Sequence, residues 1–177
     1  IQRPVDKKEN YVKRCIGLPG EIIEIKERQV YIDGEALENP KNLQYEYKVS
    51  FENRMKAEKV IKSLGLTTQD LGGVYNSPDG LDIIIALTNS EVDVLENSDL
   101  VLGVEIMSTT NRKGTLQMFP NSYTEEFNEW TPDDLGPVHI PKKGETIEVD
   151  SRNLDMYRRI ISVYDGHDLK EEDGLVY

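Results

Sequence analysis

Hydrophobic and polar positions alternate most clearly from residue 45 onward. Tyr45, Tyr47, Val49 and Phe51 are separated by Glu46, Lys48 and Ser50, the period of two that marks a strand with one buried face. Ala57, Val60, Ile61 and Leu64 follow at helical spacing, and Gly65 is placed to end that helix. Residues 73–76 read as a short strand, turned by Ser77-Pro78-Asp79-Gly80 into an apolar, β-branched run over 81–87. Thr88 and Glu91 have the spacing of a capping box and open a short helix through Leu95. Residues 100–107 read as a further strand. The predicted order is β-α-β-β-α-β. Two helices on one face of a four-stranded antiparallel sheet satisfy it, as in ferredoxin-like folds.

The flanks have a different pattern. Gly17-Leu18-Pro19-Gly20-Glu21 is a turn signal, and Ile23, Ile25, Val30 and Ile32 suit two short strands around residues 26–29. Asp33-Gly34 predicts a hairpin turn, and Asn39-Pro40 closes the segment. Residues 109–143 are rich in Pro, Asn, Asp and aromatics and read as a long ordered loop, with Phe127 and Trp130 as packing anchors. Strand chemistry resumes at 144–149. Asp150 or Ser151 is placed to cap a helix carrying Leu154, Tyr157, Ile161 and Tyr164, ended by Gly166. The expected fold class is therefore α+β. An antiparallel β part, 1–41 with 141–177, is interrupted by an inserted α+β unit over 42–140. Residues 10–37 are expected to pair near 144–150 and 169–177. Both ends of the chain are expected to be cuts, because it opens on Ile1 and Leu175-Val176-Tyr177 stops in mid-strand.

Composition narrows the functions open to this chain. Among 177 residues, 37% are hydrophobic and 31% charged, enough apolar content for a core. The longest uninterrupted apolar run covers residues 83–87, far short of the roughly 20 residues a membrane-crossing helix needs. Lys and Arg total 21 against 33 Asp and Glu, for a net charge of −12. Nucleic acid is not an expected partner, since phosphate contacts need a basic face. The single cysteine, Cys15, excludes an internal disulfide and a Cys-based zinc site. With two histidines, His139 and His167, no metal and no cofactor is expected. Asp133-Asp134 and Glu171-Glu172-Asp173 read as solvated turns, lacking calcium-loop spacing. Charge is uneven: residues 1–16 hold five basic and two acidic side chains, so the strongly acidic balance lies in the remainder.

Candidate chemistry concentrates at residues 11–21, Tyr-Val-Lys-Arg-Cys-Ile-Gly-Leu-Pro-Gly-Glu. This reads as a short apolar strand with Lys13 in its middle, followed by a Gly-Pro-Gly turn. A lysine among apolar neighbours is desolvated, which lowers its pKa and fits it to act as a general base. Lysines in strands are more commonly solvated, so the spacing alone does not assign the role. Cys15 reads as a buried strand thiol, although the neighbouring Lys-Arg pair would favour its thiolate.

The string itself closely resembles the lysine-bearing motif of bacterial type I signal peptidases, Y-[IV]-K-R-x-[IV]-[GA]-x-P-G-[DE]. Arg3-Pro4-Val5-Asp6 before it and residues 24–34 after it also suit that family. The resemblance implies a membrane-anchored serine endopeptidase at the periplasmic face of the bacterial inner membrane. Its substrates would be exported preproteins, and a lysine, not a histidine, would activate the serine. Carried over by motif position, Lys13 is the general base. Tyr11 and Val12 flank the substrate groove, and Val12 would line a small-residue pocket. Arg14, Gly17, Pro19 and Gly20 support the strand and turn. The resemblance also makes 1–41 with 141–177 part of a catalytic β domain and 42–140 an insertion of the kind some members carry.

Three parts of the family pattern are missing: the serine nucleophile motif upstream of the lysine, the membrane anchor, and the downstream G-D-N-R-x-N-S-x-D-S-R motif. Asp150-Ser151-Arg152 matches only the last three letters of the latter, and Ser151 reads as a helix cap. The chain is therefore expected to hold half of a Ser-Lys dyad, to be inactive alone, and to leave Lys13 exposed. Two other readings remain open. One is a non-catalytic protein-binding module centred on the inserted unit; the other is a Ser-Lys autoprotease of the repressor-cleaving type.

Overall fold

The computed structural model describes residues 13–109, 118–120, 125–172 and 175–176. In chain order the strands are β1 (Ile22–Lys26), β2 (Gln29–Ile32), β3 (Glu35–Ala36), β4 (Gln44–Phe51), β5 (Leu71–Ser77), β6 (Gly80–Thr88), β7 (Gly103–Ile106), β8 (Leu135–His139), β9 (Glu171–Glu172) and β10 (Leu175–Val176). The α-helices are α1 (Arg54–Ser63), α2 (Asn89–Glu96), α3 (Glu125–Asn128) and α4 (Leu154–Arg159). The architecture is α+β, with two four-stranded antiparallel sheets. Two compact units divide the chain, one drawn from residues 38–111 and one from the described parts of 1–37 and 112–177.

The unit of 38–111 is built from the alternation seen in its sequence. Its sheet has the order β5-β6-β4-β7. Val49 lies opposite Ile83 on one side and Val104 on the other, and Tyr47 lies opposite Ile85 and Ile106. These partners share one face, and Tyr47, Val49, Phe51, Ile83, Ile85 and Leu87 are buried there. Ala57 and Val60 of α1 and Leu95 of α2 complete the core. Local chemistry sets the helix ends. Asn53 accepts a hydrogen bond from the Lys56 N–H at the start of α1. Thr88 and Glu91 close a reciprocal capping box on α2.

In the other unit the sheet order is β3-β2-β1-β8. The turn between β1 and β2 places Glu27 and Arg28 at positive φ, 47° and 70°. It is held from outside the hairpin. Glu27 N–H donates to Asp134 Oδ1 at 2.9 Å, and Arg28 N–H donates to the Asp133 carbonyl at 2.8 Å. Asp133 is 5% exposed and pairs with Arg28 at 3.5 Å. The expected solvated turn at Asp133-Asp134 is thus corrected: both carboxylates are used in fixing a hairpin.

Three further expectations are revised. Residues 135–139, read as loop, form β8, which pairs antiparallel with β1. Its Pro137 is tolerated because β8 is an edge strand, where a missing N–H breaks no ladder. Residues 144–149, read as strand, carry no strand. Gly144 instead lies in a turn closed by Glu145 N–H to the Lys142 carbonyl at 3.0 Å and Lys142 N–H to Glu145 Oε2 at 2.9 Å. Hence β1 pairs with 135–139 and not with 144–150, and β9 and β10 pair with each other. The helix after 150 is α4 followed by a π-helical turn over Ile160–Tyr164. Asn153 stands at its N-cap position; Asp150 Oδ1 accepts from Arg152 N–H and Asn153 N–H just before it, while Ser151 is an exposed turn residue. Leu154 and Tyr157 are buried as expected, whereas Tyr164 is 71% exposed. Among the described residues no helix is long and apolar enough to cross a membrane.

Candidate functional site

Lys13, Arg14, Cys15 and Ile16 are exposed and lie outside any strand. The strand expected around Lys13 is therefore absent over residues 13–16. The reason is pairing: among the described residues no strand runs beside 13–16 to offer a ladder. Tyr11 and Val12 lie outside the described residues. Cys15 is exposed, with its thiol donating to the Gly17 carbonyl at 3.2 Å, which corrects the reading of a buried strand thiol.

The turn over residues 17–21 is firmly held. Glu21 N–H donates to the Leu18 carbonyl at 3.1 Å, and the Glu21 carboxylate accepts from Leu18 N–H at 2.6 Å. The turn is then tied to Ile140, the residue just after β8. Gly20 N–H donates to the Ile140 carbonyl at 2.6 Å, and Ile140 N–H donates to the Glu21 carbonyl at 2.9 Å. The Ile140 side chain also packs on Gly17, where its Cδ1 occupies the space a Cβ would take. A side chain at 17 would displace Ile140, which explains why glycine suits this position. Pro19 is exposed in the turn. Of the expected supporting residues, Gly17 and Gly20 are thus brought together around Ile140. Immediately beyond, Ile22 N–H donates to Asp33 Oδ1 at 2.9 Å, joining the turn to the β2–β3 hairpin.

Sequence reasoning missed Ile140, Glu21 and Asp33 as supports. Glu21 had a visible signal, an acid three residues after Leu18. Ile140 had none, because its role depends on a pairing made across more than a hundred residues.

Behind Ile140 sits a small polar cluster. His139 Nε2 lies 3.4 Å from Glu145 Oε1, and Tyr157 Oη donates to the His139 carbonyl at 3.5 Å. Burial, and secondarily the Glu145 charge, push the Tyr157 phenol above its ordinary pKa. Ser151 stands beside the Asp150–Arg152 pair, in which Arg152 Nε donates to Asp150 Oδ2 at 2.8 Å and holds that carboxyl below its usual range. Phe127 and Trp130 pack edge to face, 4.9 Å between centroids, as anchors of the kind expected. Among the described residues no group of three or more His, Cys, Asp or Glu side chains is placed to hold a metal ion.

No curated protein and no solved structure matches this chain. Residues 1–104 match the model of a family described as signal peptidase, peptidase S26. The match covers more than half of the 177 residues and includes both the Lys13 motif and the turn that Ile140 holds. The chain belongs to the signal peptidase family.

Proposed function

We propose that this chain is part of a serine endopeptidase that removes signal peptides from exported proteins, and that Lys13 is its general base. The family consists of serine peptidases whose substrates bear signal peptides. The observation that carries the residue assignment is the eleven-residue string over 11–21, with Lys13 in the motif's lysine position. The firm attachment of the turn at 17–21 supports it, since a base is useful only where its backbone is fixed. Lys13 would take the proton from a serine hydroxyl, and Tyr11 and Val12 would line the groove for the substrate. No serine among the 177 residues stands in the family's nucleophile motif, so the serine is supplied by sequence outside them. The bacterial membrane, with the site on its outer face, is the proposed location of the enzyme.

We read the unit of 38–111 as an inserted ferredoxin-like module. Its element order β-α-β-β-α-β and the sheet order β5-β6-β4-β7 support this, as does the antiparallel pairing throughout. The bounds proposed for the module are those of the compact unit, 38–111, in place of the 42–140 expected for the insertion.

The test is cleavage of a preprotein by the membrane-anchored enzyme carrying Lys13→Ala or Lys13→Arg. Removing a general base lowers turnover by about a hundred- to ten-thousand-fold. Arginine fares little better, because its guanidinium stays protonated. Near-normal turnover by either variant removes Lys13 from the mechanism. The 177 residues alone are expected not to cleave, since a base without its nucleophile has no covalent route.

A further inference from the structure

The unit of 38–111 carries a cavity of about 790 Å³ between α1 and the β5–β6 side of its sheet. That size falls within the range of ligand sites. Its apolar lining comes from Ala57 and Ile61 of α1, Leu66 after it, and Leu71, Val74 and Ile83 of the sheet. The register explains how β5 contributes. Leu71 lies opposite Ile85 and Val74 opposite Ile83, so an irregularity between Leu71 and Gly73 turns both side chains to the helix-covered face. Ile83 and Ile85 are buried on that face, yet Val74 is 54% exposed. α1 packs on β4 and β6 and α2 on β6 and β7, and Val74 of β5 is left open to solvent.

The cavity opens beside an edge. Among the described residues β5 pairs only with β6, so alternate N–H and C=O groups along its other side meet no strand. Edge strands are ordinarily blunted by charge, by proline or by a bulge. Leu-Gly-Gly-Val-Tyr-Asn-Ser contains neither charge nor proline. Its one irregularity lies at the start and leaves residues 73–77 in regular register. Four charged side chains stand at the rim, Glu52 and Glu58 against Arg54 and Lys62, two of each sign. Arg54 pairs with Glu58 at 3.0 Å, and Glu52 pairs with Lys56 next to the rim, which holds the Glu52 carboxyl below its usual range. Such a site favours an uncharged occupant.

We propose that β5 and this cavity bind an extended, uncharged, apolar peptide segment, which adds to the sheet as a fifth strand and seats alternate side chains in the cavity. An extended peptide meets both features at once, pairing its backbone with the open edge and its side chains with the apolar floor. A compact apolar molecule would use only the second. The proposal is independent of the catalytic role of Lys13.

The test uses the 177-residue chain and a fluorescently labelled seven-residue peptide of alternating valine and threonine, read by anisotropy. Two further peptides carry N-methyl groups on one or the other alternate set of amides. Saturable binding is expected, with one methylated set weakening it by about tenfold or more and the other tolerated, because only one set faces β5. Val74→Glu places a carboxylate on the cavity floor at an exposed position and is expected to weaken binding by a similar factor, with circular dichroism unchanged. If that variant unfolds, the methylated pair decides alone. Absence of saturable binding to millimolar peptide overturns the proposal. So do equal affinities for all three peptides, which would leave the cavity as a site for compact apolar groups. Concentration-dependent dimerisation abolished by Val74→Glu also overturns it, since a second copy of this chain would then cover the edge.

Discussion

Gly136 offers the sharpest test of how the turn after Lys13 is supported. It lies in β8 at φ 97°, and a Cβ added there would meet the Ile23 carbonyl oxygen at 2.8 Å and Glu24 Cα at 3.2 Å. Those atoms are backbone of β1 and cannot rotate away. Gly136→Ala therefore carries two penalties. The left-handed backbone adds about 1–2 kcal/mol for any L side chain, and forcing a methyl against a packed strand adds about 1–3 kcal/mol. Gly34 supplies the control: its φ is 83°, and nothing lies within 4 Å of an added Cβ. Gly34→Ala should lose only the first part. The difference, about 1–3 kcal/mol, corresponds to roughly a 5- to 150-fold change in an opening equilibrium. Native-state hydrogen exchange of the amides of β1 reads it directly, and it avoids assuming that two compact units melt together. Exchange in β4 and β6 should be unchanged, because those strands belong to the other unit. Equal losses for the two alanine variants would refute the close approach of β8 to β1. Faster exchange in β4 would refute the independence of the units.

Other consequences rest on single residues. Asp133→Ala removes the buried carboxylate that pairs with Arg28, while the backbone donations of Glu27 and Arg28 to residues 134 and 133 stay in place. A loss of about 1–3 kcal/mol is expected in the denaturation of its unit, and a loss below a few tenths would count against the clamp. Phe51 is wholly buried, so Phe51→Ala should destabilise the unit of 38–111 by about 3–5 kcal/mol in urea unfolding, and a surface-like effect would place it outside the core. Tyr157 has a folded pKa above the ordinary 10.0 because burial disfavours the phenolate. Above pH 10 the unfolded chain releases this proton first, so stability is full below that pH and falls as pH rises through the folded value. Tyr157→Phe should flatten the alkaline slope of stability, and an unchanged slope would mean that another group sets it.

How much of this was legible in the sequence depended on whether the relevant partner was near in the chain. Between 44 and 107 each signal was local: alternation over 45–51, the Thr88–Glu91 box, the Pro78-Asp79 turn. Each of these predicted an element that the structure contains. In the other unit the deciding partners are distant. Leu135-Gly136-Pro137-Val138-His139 has no strand periodicity and contains the two residues least suited to strands. It becomes a strand because β1 offers it a ladder and because an edge position forgives Pro137. Gly-Glu-Thr-Ile-Glu-Val over 144–149 has good alternation but no partner among the described residues, and stays outside any strand. Propensity proposed and pairing decided.

The same distinction separates the motif from its geometry. A string of eleven residues identified the family because type and order alone carry that information. It did not reveal that Gly17 and Gly20 answer to one residue, Ile140, more than a hundred positions later. Glycine at 17 leaves room for the Ile140 side chain, and glycine at 20 adopts a left-handed φ while its N–H reaches the Ile140 carbonyl. The two glycines and the strand that ends at 139 therefore form one device. Its effect is to fix the chain immediately after Lys13 while leaving Lys13 itself exposed. A general base must be held by its backbone on one side and meet its nucleophile on the other. Residues 17–21 and 140 supply the first requirement, and the exposed side chain of Lys13 leaves the second to be met by a serine from outside these residues, as proposed.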